Sequence, residues 1–237
     1  MLRTILKAAS AIALISAMAT AHTAPITVKF DGYVSGSKNG RIYGPEQNKS
    51  RAVAAGQFRF DVIADPQNAY WDDELHAFCI DVTQWLVTGQ QVQYELTRME
   101  DSSYLNTSQR ARISWLFDHA ASTLGSAAND ASFQLALWEQ MYDSSPLSLL
   151  DGANRGSFWS NSFSGSQAPA ESWLTGLANA GITDAYRSTQ YELFVLTPLN
   201  PVSNQSLIVA RPIPEPSVLA LIGLGFAGVA LVRRRAR

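Results

Sequence analysis

The sequence predicts an α+β fold: an antiparallel β-sandwich or barrel with an inserted helical subdomain, plus an N-terminal signal peptide and a C-terminal transmembrane helix. Three observations predict it. Segments before residue 100 alternate apolar and polar side chains with the two-residue period of half-buried strands. After Asn106 the period becomes helical, and in the last segments before Pro212 it returns to two. No internal repeat interrupts this order. The 237 residues therefore divide into a signal at 1–21, one exported α+β domain at 22–211, and a tail at 212–237.

Residues 1–21 have the parts of a secretory signal. Arg3 and Lys7 form the basic end, residues 8–19 are almost wholly small or apolar, and Ala19-Thr20-Ala21 offers a small-x-small cleavage pattern. In residues 26–34, Ile26, Val28 and Phe30 alternate with Thr27, Lys29 and Asp31, as in a half-buried strand. Residues 35–50, rich in Gly, Ser and Asn around Pro45, read as a mobile loop. Residues 56–63 alternate again, with Phe58, Phe60 and Val62 inward, and Asp65-Pro66 begins a turn. Residues 78–86 and 91–97 are expected to form a strand pair joined around Gly89; Val92, Tyr94 and Leu96 mark the inner face of the second.

Asn106 and Gln109 have the spacing of a capping box, and Ile113, Leu116, Phe117 and Ala120 follow at helical intervals. A second helix is expected from about residue 129 to 142. Residues 143–169 carry many Ser, Gly and Asn residues with Phe158, Trp159 and Phe163 interleaved, and read as a long exposed loop. Ala170, Trp173, Leu174 and Leu177 make a third helical stripe, ended by Gly181. Residues 191–196 and 205–210 have strand character.

The tail is the most specific stretch. Pro214-Glu215-Pro216 precedes an uninterrupted apolar or small run, 217–232, and then Arg233, Arg234, Arg235 and Arg237. As a helix this run would rise about 24 Å, short of a hydrocarbon core of roughly 30 Å, a gap that snorkelling arginines can bridge. The arginines would stay cytoplasmic, leaving the domain outside the inner membrane. Motif, short helix and basic end together closely resemble the PEP-CTERM sorting signal of exopolysaccharide-producing Gram-negative bacteria. The resemblance implies cleavage by an exosortase near Pro214–Pro216, after transient residence in the inner membrane, and delivery to the cell surface or extracellular matrix.

Without Arg3, Lys7 and the four tail arginines, 12 of the 18 basic residues remain; without Glu215, 19 of the 20 acidic ones do, a net charge near −7. An acidic exported domain argues against nucleic acid as a partner, because phosphate binding needs clustered positive charge.

Cys79 is the one cysteine, so no internal disulfide can form. It lies in Ala77-Phe78-Cys79-Ile80-Asp81, where strand parity sets Phe78, Ile80 and Val82 on one face and Cys79 on the other. On that second face the thiol could meet a packed helix. In the second helix, Gln134, Leu137, Trp138 and Met141 share one face, which puts an amide on an apolar stripe. A buried primary amide needs partners, or it has been used chemically.

Phe78-Cys79-Ile80-Asp81, followed by Ser132-Phe133-Gln134-Leu135-Ala136-Leu137-Trp138, resembles the thioester domains of bacterial surface adhesins. There a cysteine beside an aromatic residue joins a glutamine in a Thr-Gln-x-Ala-(Ile/Val)-Trp motif. Here Phe133 replaces the threonine and Leu137 takes the Ile/Val position. The resemblance implies Cys79 as the thiol and Gln134 as the acyl donor, with Phe78, Phe133 and Trp138 shielding the bond from water. It further implies a covalent, non-enzymatic adhesin whose partner is a surface amine or hydroxyl nucleophile. No cofactor or metal site is expected: Asp72-Asp73-Glu74 lacks the ligand spacing of a calcium loop.

Two other readings stand beside it. A non-covalent exopolysaccharide-binding matrix protein would use Trp71, Phe158, Trp159 and Phe163. A cysteine hydrolase would need tertiary contact between Cys79 and His119, because His22 lies at the expected mature terminus and strand parity sets His76 on the face opposite Cys79.

Overall fold

The computed structural model describes residues 25–44, 50–66, 71, 73–152, 156–200 and 204–213. The signal segment, the Pro214-Glu215-Pro216 motif, the apolar run and the terminal arginines lie outside the described residues. The elements follow as β1 (Ile26–Tyr33), β2 (Lys38–Tyr43), β3 (Ser50–Ala55), β4 (Phe58–Ala64), β5 (Glu74–Cys79) and β6 (Gln91–Arg98), then α1 (Thr107–Ala120), α2 (Ala127–Tyr142), β7 (Trp159–Asn161), α3 (Gln167–Asn179), β8 (Tyr191–Pro198) and β9 (Leu207–Pro212).

Six strands close an antiparallel barrel in the order β1-β4-β5-β9-β8-β6. Closure pairs both edges of every strand, which removes exposed ladder groups. Of the two forms expected, the barrel is the one adopted. The helices enter between β6 and β8, the position expected for the helical insert.

Register defines the interior. Phe30 faces Phe60, Phe60 faces Leu75, Phe58 faces Ala77, Ala77 faces Val209, and Cys79 faces Leu207. These residues share the inner face with Ile26 and Tyr94, which also face each other. The neighbouring parity points outward: Phe78 pairs with Ile208, and Ile208 with Val195. That outer patch is buried as well, because α2 packs Phe133 on Phe78 with ring centroids 4.5 Å apart, and Phe117 of α1 meets Phe133 at 4.9 Å. Pairs of this kind add about 0.5–1.5 kcal/mol beyond area burial.

Three expectations about loops and pairing need correction. Residues 78–86 do not form a strand paired with 91–97: β5 ends at Cys79 and pairs with β4 and β9, while β6 pairs with β1 and β8. The segment expected as a mobile loop holds β2, the centre of a three-stranded sheet ordered β3-β2-β7. Its alternation is faint because Ile42 alone of β2 is fully buried. Gly40 lets the Phe163 ring pack directly on β2, since a Cβ there would overlap that ring.

The described residues of 143–169 are likewise not an exposed loop throughout. Phe158 and Phe163 are buried, β7 joins the small sheet, and Asp143 accepts hydrogen bonds from the Ser157 and Phe158 N–H groups, both at 2.7 Å. Burying a Phe side chain yields about 1.5–3 kcal/mol, enough to hold a polar segment inward.

The helix ends follow local chemistry. Asn106 Oδ1 accepts from Gln109 N, and Gln109 Oε1 accepts from Asn106 N, both at 2.9 Å, the expected capping box. The second helix starts earlier than expected, after the N-cap Ser126, whose hydroxyl oxygen accepts from Asn129 N. From Asp130 to Gln140 every residue of α2 is buried. The helix runs through the centre of the molecule rather than along its surface.

Candidate functional site

β5 ends where the chain turns. Asp81 Oδ1 accepts from Thr83 N at 2.8 Å and from the Thr83 hydroxyl at 2.6 Å, an Asx-type turn that draws residues 81–83 out of the ladder. On one side Cys79 still pairs with Leu207 of β9, and Ile80 N donates to Ser206 O. On the other side the β4 ladder stops at Phe58, opposite Ala77. The Cys79 peptide groups on that side have run past their strand partner.

Gln134 takes the place of that partner. Cys79 N donates to Gln134 Oε1 at 2.9 Å, and Gln134 Nε2 donates to Cys79 O at 2.8 Å. One carboxamide satisfies both peptide groups, as a residue of a neighbouring strand would. Both residues are buried, Cys79 at 0 % and Gln134 at 1 % exposure. The structure thus brings together the two residues that the sequence singles out, 55 positions apart.

The thiol lies on a different face from the one expected. Helix α2 covers the Phe78 side of β5, whereas Cys79 shares the inward parity of Ala77 and Leu207. Phe78 and Phe133 therefore pack on each other across the outer face and do not wall the sulfur. The reason is closure: in a barrel the inner face is filled by the strands' own side chains, and helices can cover only the outside. The Cys79 thiol donates to Asp81 O at 2.9 Å, and Asp81 N donates to the sulfur at 3.3 Å.

Burial pushes the Cys79 thiol up to about 12; the Asp81 backbone donor and the Trp138 indole offset this only in part. At neutral pH the group is a thiol. Trp138 Nε1–H makes no hydrogen bond of ordinary geometry, yet it lies close enough to favour a charged sulfur. Trp138, 3 % exposed, is the one member of the expected shield beside the thiol.

Trp138 also forms part of the wall of a cavity of about 510 Å³, between the β2–β3 ribbon, Phe30 and Phe58 of the barrel, and the 82–88 segment. The aromatic residues expected at a sugar surface are otherwise occupied. Trp159 stacks on Tyr43 with centroids 3.5 Å apart, Trp71 meets Phe194 edge-on, and Phe158 packs against Tyr142. His76 bonds to the Glu74 carboxylate, and His119 Nδ1 meets Trp115 O at 2.8 Å while its ring stacks on Trp115. His22 lies outside the described residues. Among the described residues, no group of acidic, His or Cys side chains could hold a metal ion.

The stripe around Gln134 missed other buried polar groups of α2: Asp130, Glu139 and Gln140. Glu139 Oε1 accepts from Ser148 N at 2.8 Å, and burial pushes its carboxyl up to about 9. A signal for them was present. Residues 132–142 contain a single charge, the mark of a helix buried all round.

Residues 212–235 match the PEP-CTERM protein-sorting motif. The tail carries a PEP-CTERM sorting signal. Such a signal implies an exported, cell-surface protein processed by an exosortase. Among the described residues no helix is long and apolar enough to cross a membrane. No curated protein sequence matches the chain. Among solved structures it is similar to the N-terminal thioester domain of a Clostridium perfringens surface protein, with 16 % identity, 74 % of this chain and 99 % of that one covered, and a TM-score of 0.42. It is also similar to the N-terminal domain of the Streptococcus pyogenes pilus tip adhesin Cpa, with 12 % identity, coverage of 78 % and 99 %, and a TM-score of 0.42. A third is the N-terminal thioester domain of the fibronectin-binding protein SfbI from Streptococcus pyogenes, with 14 % identity, coverage of 75 % and 95 %, and a TM-score of 0.41.

Proposed function

We propose that this exported surface protein is a single-use covalent anchor built on an internal thioester between Cys79 and Gln134. The observation that supports it is the direct, buried contact between the Gln134 carboxamide and Cys79. Bond formation requires the carboxamide to turn from the Cys79 backbone to the adjacent sulfur. Sulfur then attacks the side-chain carbonyl carbon, the carbon–nitrogen bond breaks, and ammonia leaves with the thiol proton.

An amine or hydroxyl of a partner later attacks the same carbon. The carbon–sulfur bond breaks, the acceptor's proton ends on sulfur, and an amide or ester remains. The raised pKa of Cys79 bears on both steps. A sulfur that is stable only when protonated is a poor leaving group as thiolate, so the bond resists stray water and proton delivery accompanies its cleavage. The Asp81 and Trp138 N–H groups stabilise the charge that develops meanwhile. The protein reacts once and does not turn over.

In this reading the chain crosses the inner membrane, rests there through its tail helix, and is released by exosortase to the surface or matrix. Intact mass of the mature protein tests the anchor. A mass lower by one ammonia, with methylamine adding at Gln134 and neither effect in Cys79→Ala, is expected. A full-mass wild type whose thiol titrates would overturn it. The second reading, a non-covalent exopolysaccharide-binding protein, is favoured by one observation: the two backbone bonds already account for the burial of Gln134 without any chemistry.

A further inference from the structure

A hydroxyl inside the barrel has no structural use in the unreacted chain. Tyr94 is fully buried, and its hydroxyl has no hydrogen-bond partner among the described residues. An unpaired buried hydroxyl destabilises a fold, and phenylalanine would fill the same space without that cost. Register places this group near the sulfur. Cys79 pairs with Leu207, Leu207 with Leu196, and Leu196 with Leu96 of β6. Tyr94 stands two residues from Leu96, on the same inner face as Cys79. Burial first, and then the charge of an ionised Cys79, push the Tyr94 hydroxyl well above the ordinary tyrosine range.

The other titratable groups around the sulfur are engaged elsewhere. The Asp81 carboxylate accepts from Thr83 N and the Thr83 hydroxyl. Tyr142 Oη, at the end of α2, accepts from Val82 N at 3.0 Å. Tyr104 is exposed and bonds to Ser206, and Tyr33 is half-buried with its ring edge-on to Phe30. His76 and His119 bond to Glu74 and to Trp115 O. Tyr94 alone of this set combines complete burial with an unused O–H.

We infer that the Tyr94 hydroxyl is the proton relay of the proposed acyl transfer, protonating the Cys79 sulfur as its bond to the Gln134 acyl carbon breaks. The inference rests on the thioester reading and names the group that completes it. The acceptor amine attacks the acyl carbon, and the carbon–sulfur bond breaks with its electron pair on sulfur. The Tyr94 O–H proton passes to that sulfur, and the phenolate oxygen takes the proton that the amine nitrogen sheds. Amide, thiol and intact phenol remain. Burial pushes thiol and phenol up together, so transfer between them is close to balanced, and Tyr94 keeps its proton throughout the neutral range.

The test compares processed, exported wild type with Tyr94→Phe and Tyr33→Phe. Intact mass is read first. The rate constant of methylamine addition, expressed per unprotonated amine, is then followed from about pH 7 to about pH 10, the ordinary tyrosine value. Wild type is expected to be lighter by one ammonia, with a rate constant that does not change with pH. Tyr94→Phe should melt no lower than wild type by circular dichroism, yet react about 100-fold more slowly. Its rate constant should fall as pH rises, because the proton must come from solvent, while Tyr33→Phe should match wild type. A folded Tyr94→Phe chain of full mass also supports the relay, since the same hydroxyl would pass the thiol proton to the leaving nitrogen during bond formation. A wild type of full mass overturns the thioester reading and the relay with it. A light wild type overturns the relay alone if Tyr94→Phe reacts at the wild-type rate, or if Tyr33→Phe slows as much. Where Tyr94→Phe loses its fold, the wild-type profile decides: a constant rate supports the relay, and one falling through that range overturns it.

Discussion

Gln134 shows how one side chain can complete a sheet. Its carboxamide bonds to both peptide groups of Cys79 where the β4 ladder has ended. Relative to the unreacted chain, in which the clamp is intact, Gln134→Ala leaves a buried N–H and C=O unpaired, and each costs about 1–3 kcal/mol, so the variant should lose about 2–6 kcal/mol of unfolding free energy in urea. Cys79→Ala keeps the backbone bonds and should lose much less, while abolishing any methylamine addition. Equal losses in the two variants would show that the sulfur, not the backbone clamp, stabilises this point. The pair was legible in the sequence because a lone exported cysteine and an amide on an apolar stripe both ask for an explanation. The clamp was not, because it depends on where β4 stops.

Helix α2 illustrates the next scale. Its buried length carries Glu139, whose carboxyl keeps its proton up to about pH 9. An unfolded glutamate releases its proton near about pH 4.3. Between those values the folded chain holds a proton that the unfolded chain lacks. Its contribution to stability is full below the lower value and is lost as pH rises through the upper one. Melting followed by circular dichroism should therefore show wild type losing stability from about pH 5 to about pH 8, and Glu139→Gln losing less over that range. A mutant slope as steep as that of wild type would assign the dependence to other groups. The carbonyl of the introduced amide can still accept from Ser148 N, so the variant tests charge rather than a lost hydrogen bond.

At the scale of the whole molecule, the sorting tail decides where the barrel works. Deleting residues 214–216 should leave the protein in the inner-membrane fraction and deplete it from the surface, as read by immunoblotting of fractionated cells. Release at wild-type levels would remove the sorting role from this motif.

The sorting tail, the strand and helix periods and the capping box of α1 were determined by the sequence alone, because each depends on residues within a few positions of one another. Tertiary structure decided that the barrel closes, that 38–43 and 159–161 join one sheet, and that Cys79 faces inward while Phe78 meets α2. Alternation says that two neighbours face opposite ways. Which way is inside depends on what covers each face, and that is settled only when strands from distant parts of the chain pair.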